Sequence, residues 1–356
     1  MKMRNWKIIA DFFNWSRIPQ PPRKIPIVLY NQNQKRAAPI MSQKKGENAL
    51  SKWKDSASTG HYLTACAIIK NEAPYLKEWL EFHKLTGIEK FLLYDNGSTD
   101  HTREVLLPYL ESGFVEIIPW ENFLQGANHQ HLAYAHCCIH MAHKTEWLAF
   151  LDADEFLFSP EGSPISKTLN DMEEFPAIGV FLYCFGPSGH LVRPEGLVIE
   201  NYTFRLAEDD WQNRQYKSIV RPHLIRSVIS AQRFHHILNN IPAYDETGKP
   251  LLHSTQHTHT SKRLCINHYA AKSLEELEVK IQRPYFWNLG KTDKRRREKL
   301  KQHTKLTEAN IQDLTITRFV PALRRAMSQP LRPLVQNPRP KTTCIENSKE
   351  SVLENV

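Results

Sequence analysis

The chain contains no uninterrupted apolar run of membrane-spanning length, which argues against a transmembrane helix. Its first residues, Met1 to Trp15, lack the apolar core and cleavage site of a signal peptide. None of the six cysteines forms a C-x-x-C pair, and several sit in apolar runs where Cys behaves as a small hydrophobe. They read as reduced thiols of an intracellular protein. Histidines gather at His136, His140 and His143 and at His253, His257 and His259, but no H-E-x-x-H or other zinc spacing accompanies them. No nucleic-acid-binding module is recognisable, so nucleic acid is not an expected partner. There is also no internal repeat.

What is present is ample core material. Of 356 residues, 41% are hydrophobic and 24% charged, enough for one large α/β domain with extensions at either end. Lys and Arg outnumber Asp and Glu by 47 to 38, and the excess is uneven, with a dense basic run from Lys291 to Lys301. Such a run suits an anionic partner or is simply a solvated helix face. Near the start, Trp6, Ile9 and Phe13 fall on one helical face beside Lys2, Arg4 and Lys7. That is the pattern of a short helix lying on an anionic membrane surface; a helix packed on the domain is the alternative. Proline punctuation and polarity divide the chain into an N-terminal extension and linker (1–58), a main domain (59–290), a basic helical segment (291–328) and a tail expected to be poorly ordered (329–356).

Within the main domain, strands and helices alternate. Leu63 to Ile69, Phe91 to Tyr94, Val115 to Ile118 and Trp147 to Leu151 are short apolar runs suited to buried strands. Between them, Pro74 opens a helix that presents Leu76, Trp79, Leu80 and His83 on one face and ends at Gly87. Ser98, Thr99 and Asp100 offer N-cap chemistry for a second helix through Leu110, and a third spans Asn128 to His143. This alternation predicts a mainly parallel, Rossmann-like α/β sheet sandwiched by helices. Ligands of such sheets gather beyond the carboxyl ends of the strands. The residues there are Lys70-Asn71-Glu72, Asp95-Asn96-Gly97-Ser98 and Asp152-Ala153-Asp154-Glu155. No Gly-rich loop follows the first strand, which argues against a sugar nucleotidyltransferase built on the same kind of sheet.

The third group is the most informative. Three carboxylates lie within four residues, framed by Phe150-Leu151 and Phe156-Leu157-Phe158. Charge placed among apolar residues is costly unless it is paired or binds metal. On extended backbone, Asp152 and Asp154 point to the same side, as two oxygen donors for Mg²⁺ or Mn²⁺ would. An ordinary acidic turn in solvent is the competing reading.

These residues resemble a known family. Ile69-Lys70-Asn71-Glu72, the helix from Tyr75 to His83 and Tyr94-Asp95-Asn96-Gly97-Ser98-Thr99-Asp100 look like the start of a family 2-like glycosyltransferase. Later blocks narrow the likeness to glycosyltransferase family 92. They are Trp147 through Phe156, Phe185 to His190, Lys217 to Pro222, and Asn267-His268-Tyr269 with Lys272-Ser273. The resemblance covers roughly residues 62–285 and implies a GT-A fold, a nucleotide-sugar donor, a glycan or glycoconjugate acceptor, and Mn²⁺ or Mg²⁺. It implies donor binding by Asn71, Glu72, Asp95 and Lys217, a metal shell of Asp152, Asp154 and His268, and a catalytic cluster of Asp152, Asp154 and Glu155. It also implies inversion and a UDP-sugar, with UDP-galactose as the default. The general base stays unassigned, since Glu208-Asp209-Asp210 resembles the E-D pair of some inverting enzymes but reads better as a solvated acidic loop. An inactive family member acting as a sugar-nucleotide or glycan-binding scaffold is the alternative. The expected location is cytoplasmic, peripheral on the inner face of a membrane.

Overall fold

The structure is a computed structural model describing residues 60–121, 128–230, 232–236, 242–256, 260–282, 301 and 303–329. The N-terminal extension, residues 291–300 of the basic run and the tail from 330 onward lie outside the described residues, as do His257 and His259.

The strands in chain order are β1 (His61–Ile69), β2 (Lys90–Asp95), β3 (Val115–Pro119), β4 (Thr145–Phe150), β5 (Glu155–Phe158), β6 (Ala177–Cys184) and β7 (Phe204–Arg205). They continue with β8 (Tyr216–Val220), β9 (Ile225–Val228), β10 (Phe234–His236), β11 (Ala243–Tyr244), β12 (Pro250–Leu251), β13 (Cys265–His268) and β14 (Ile311–Gln312). The principal sheet runs β12-β11-β6-β8-β4-β1-β2-β3. Its β4-β1-β2-β3 half is parallel throughout, whereas β8 runs antiparallel to both neighbours, β4 and β6. Because β8 reverses between them, β4 and β6 point the same way and end at the same edge.

Strand residues alternate between two cores. Leu63, Ala65, Ala67 and Ile69 of β1, Phe91 and Leu93 of β2, and Trp147 and Ala149 of β4 enter one core. Cys66, Leu92, Tyr94, Leu148 and Phe150 enter the other. A period of two with both faces buried is why these strands read as unbroken apolar runs. Helices α1 (Ala73–Thr86) and α2 (Thr102–Glu111) cover the first face through Leu76, Trp79, Leu80, Phe82, Leu106 and Tyr109. Helix α3 (His129–Met141) covers the second through Ala133, Tyr134, Cys137, Cys138 and Met141. The expected sheet between helix layers is the one observed.

Helix α1 starts with proline in its first turn and ends on Gly87 at φ 109°, whose N–H returns to the His83 and Lys84 carbonyls. That left-handed cap favours glycine. The N-cap position of α2 is His101, which makes no side-chain cap; Asp100, one residue further out, accepts from the first N–H of each of the two helices. One carboxylate oxygen accepts from Thr102 N at 3.1 Å and the other from Ala73 N at 3.1 Å.

Helices α4 (Ile165–Asn170), α5 (Val198–Asn201) and α6 (Leu274–Gln282) are among those that follow. The last, α7 (Val320–Ser328), packs on α1. Strand β13 lies off the main order, parallel to β6 and antiparallel to β5, with His268 in register with both Cys184 and Glu155. This insertion brings a late part of the chain to the edge where β4 and β6 end. Among the described residues, no helix is long and apolar enough to cross a membrane.

Candidate active site

Two groups of side chains meet the carboxyl edge of the sheet. The first joins the ends of β1 and β2. Asn71 adopts φ 57°, a left-handed conformation that Asn tolerates better than most residues. This turns its N–H to Ser98 Oγ at 3.0 Å and its Oδ1 to Thr99 N at 2.7 Å. Asp95 Oδ1 accepts from both Ser98 N and Ser98 Oγ, at 2.9 and 2.6 Å. Glu72 N donates to Thr102 Oγ1 at 3.2 Å. The sequence-predicted donor residues Asn71, Glu72 and Asp95 thus belong to one latched pair of loops.

The second group is the acidic cluster. Asp152 lies half-exposed, with Oδ2 2.8 Å from Lys217 Nζ. Glu155 is only 1% exposed and accepts from Asp152 N at 2.9 Å while lying 3.2 Å from the same ammonium. Lys217, expected to meet a diphosphate, is instead buried between these carboxylates. Its own burial opposes charge, but Asp152 and Glu155 raise its pKa well above the ordinary value. Burial pushes the Glu155 carboxyl up to about 7, with Lys217 opposing and Asp152 adding to the shift.

Asp154 points to different partners. Its Oδ1 is 3.5 Å from His268 Nε2, and its Oδ2 is 2.8 Å from Lys280 Nζ. Burial works against its ionisation, but Lys280, His268 and Lys272 hold the carboxyl well below its usual range. Burial likewise opposes charge on His268, yet Asp154 and contact with Cys184 Sγ at 4.0 Å keep it protonated well above its usual range. The peptide of Tyr269 donates to the Asp154 carbonyl at 2.8 Å, so this aspartate is fixed through its backbone as well.

The expected shell of Asp152, Asp154 and His268 is therefore assembled only in part. Among the described residues, no three His, Cys, Asp or Glu side chains form a metal-ready group. Asp154 and His268 do converge, although no local feature of the sequence requires it. A carboxylate oxygen is a donor that Mn²⁺ or Mg²⁺ accepts, whereas the His268 nitrogen can join a transition-metal ion such as Mn²⁺ only after giving up its proton. Asp152 departs from the expectation because Lys217 supplies its counter-charge.

Sequence reading gave no role to Lys280. The signal lay in the four-residue spacing of Glu276 and Lys280, which suits one helical face; Lys272 precedes that helix. Glu208 and Asp209 are exposed in a turn, and Asp210 accepts from Gln212 N at 2.9 Å, so this acidic run is a solvated loop with a cap. His136 meets Tyr94 Oη at 2.7 Å and His140 meets Glu116 at 2.9 Å. Both are structural partners of their neighbours. Cys66, Cys137, Cys138, Cys184 and Cys265 are buried free thiols.

Several known proteins are similar to this chain. A glycosyltransferase family 92 protein of Oryza sativa subsp. japonica is 32% identical over 184 residues, 50% of this chain and 30% of that protein. A galactan β-1,4-galactosyltransferase of Arabidopsis thaliana is 31% identical over 106 residues, 28% of this chain and 20% of that protein. Matches to the first curated relatives span about a third of their length, 30% and 35% in two cases. Among solved structures, TarS of S. aureus matches at a TM-score of 0.30 and 14% identity, over 46% of this chain and 48% of that one. The description "Glycosyltransferase family 92" matches residues 61–318, which include both groups of side chains, and the chain belongs to that family.

Proposed function

We propose that this chain transfers a sugar from a UDP-sugar to a glycan or glycoconjugate acceptor, using Mn²⁺ or Mg²⁺ and inverting the anomeric centre. The observation that carries this reading is the meeting of Asp154 and His268 at 3.5 Å, on the sheet edge that also bears the Asn71–Asp95 latch. In α/β sheets of this kind that edge is where ligands bind. The galactan galactosyltransferase among the relatives makes UDP-galactose the first donor to try.

Asp154 and His268 would hold the ion, and Asn71, Glu72 and Asp95 would orient the nucleoside. When bound, the ion acts as a Lewis acid toward the leaving nucleoside diphosphate. Asp152 keeps its position through Lys217, and Glu155 fixes the Asp152 backbone from below. Glu155 is therefore a positioning residue, buried beyond the reach of an acceptor hydroxyl. Inversion needs a base for the acceptor proton, and the residues named here leave that role to another group. The cytoplasmic, membrane-peripheral location rests on Trp6, Phe13 and the Lys291–Lys301 run. Co-sedimentation with anionic but not neutral liposomes tests it.

A screen of UDP-sugars for hydrolysis or binding, with and without Mn²⁺, tests the enzymatic reading. Mn²⁺-dependent turnover of one donor is expected. Binding of a UDP-sugar without turnover, in the presence of glycan acceptors, would favour the scaffold alternative.

A further inference from the structure

Two lysines after β13 stand over the acidic site. Lys280 Nζ lies 2.8 Å from Asp154 Oδ2 and 2.9 Å from the Ala270 carbonyl. Lys272 Nζ lies 4.2 Å from the centre of the Tyr75 ring. The two lie at a sequence spacing of eight, with Glu276 midway, yet Glu276 carries other duties. Its carboxylate accepts from Ser273 N at 3.2 Å, from Ser273 Oγ at 2.8 Å and from Tyr75 Oη. Ser273 Oγ in turn accepts from Glu276 N at 3.3 Å. This reciprocal capping box fixes the start of α6, and hence the point from which Lys280 reaches the site.

Both oxygens of Asp154 are thus engaged by nitrogen, Oδ1 by His268 and Oδ2 by Lys280. A divalent ion that takes up Asp154 must compete with an ammonium already there. The displaced ammonium stays tethered at the mouth of the site by its four-carbon stem and needs a new anion. A nucleoside diphosphate arriving with the ion supplies one.

We propose that Lys280 is an exchangeable counter-ion that holds Asp154 in the donor-free protein and passes to the donor's diphosphate when metal and nucleotide bind. This rests on the reading of the preceding subsection. It adds a consequence, namely that metal alone binds poorly and that metal and nucleotide reinforce one another. Lys280 is a positioning residue for the ion and a contact for the diphosphate.

Titration calorimetry with MnCl₂ alone, and with UDP at saturating Mn²⁺, tests the exchange in wild type, Lys280→Met and Lys280→Arg. Lys280→Met is expected to bind Mn²⁺ alone more tightly than wild type. It should bind UDP at saturating Mn²⁺ roughly tenfold more weakly, the scale of one charged hydrogen bond. Lys280→Arg should keep both wild-type affinities within about threefold, since the charge remains. If Lys280→Met does not fold, Lys280→Gln takes its place with the same expectation. Parallel weakening of both ligands in the uncharged variant would mean a merely structural lysine and would overturn the proposal. So would wild-type values for both. Wild-type protein that binds neither Mn²⁺ nor UDP would bring down the functional reading and the exchange together, whereas normal wild-type binding with an inert Lys280 removes the exchange alone.

Discussion

His268 lies directly opposite Glu155 in the antiparallel register of β13 on β5, and beside Cys184 in the parallel register on β6. One strand therefore ties the acidic turn after β4 to the end of β6. Its pairing lines up three residues from distant parts of the chain without relying on any loop. The consequences can be tested residue by residue.

Lys217 should be indispensable to the fold as well as to the site. It is 5% exposed, and it alone lies within salt-bridge reach of both Asp152 and Glu155 among the described residues. Lys217→Met leaves Glu155 buried without its cation, and removing one partner of a buried pair costs roughly 3–5 kcal/mol. Urea denaturation should show that loss, and adding Glu155→Leu should recover part of it. A loss under about 1 kcal/mol would mean that the carboxylates find another partner.

His83 gives the protein a pH dependence of its own. The ring is fully buried; Nδ1 lies 2.8 Å from the Trp79 carbonyl, and Nε2 accepts from Leu157 N at 3.0 Å. Nδ1 therefore carries the proton of a neutral imidazole. Burial pulls its pKa from 6.5 down to about 3, against the hydrogen bond to Trp79. A depressed folded-state pKa means that stability is whole above the unfolded value near 6.5 and declines as pH falls toward 3. Comparing urea midpoints at pH 7.5 and pH 4.5, wild type should lose more stability than His83→Gln. Equal losses in the two proteins would refute a buried neutral imidazole.

The β4-β1-β2-β3 half of the sheet was legible because its strands are short, apolar and separated by well-marked helix starts and stops, Pro74 and Gly87 among them. The acidic turn was legible because three carboxylates in an apolar frame are conspicuous. The antiparallel β8 and the insertion of β13 were not, since strand direction depends on connections that period and composition do not encode. The same limit applies to Lys217 and Lys280. Sequence shows a cation but not which carboxylate it meets: Lys217 stood out only through the family resemblance, with a diphosphate as its expected partner, and Lys280 only through the partners that tertiary structure supplies.

Gly186 should resist replacement although its backbone is not left-handed. A Cβ there would stand 2.1 Å from the Leu306 carbonyl oxygen and 2.8 Å from Ala309 Cβ. Leu306 belongs to a small core with Cys184, Leu206, Ala271 and Leu277, the last on α6 beneath Lys280. Gly186→Ala must push this segment away, with an expected cost of about 1–3 kcal/mol by the measure of overpacked sites. Urea denaturation should show that cost, and UDP binding should weaken with it. An unchanged denaturation midpoint would show that the 303–309 segment yields easily.

Asp154→Asn is the sharpest test of the metal reading. Asp154 is surrounded by His268, Lys280 and Lys272 and is stabilised as an anion. The amide keeps the shape but leaves Lys280 and His268 without their carboxylate. The donor-free variant should therefore be less stable than wild type by about 1–3 kcal/mol, the scale of a lost charged hydrogen bond. Its Mn²⁺-dependent turnover should fall on the order of a hundredfold, as when one group that stabilises developing charge is removed. Asp152→Asn should lose less activity, since Asp152 faces Lys217 and not the His268 side of the site. Steady-state rates over a Mn²⁺ titration, with matched denaturation curves, separate these effects. Full activity in Asp154→Asn, or a wild-type rate that excess chelator does not change, would show that this protein moves sugar without a metal at Asp154.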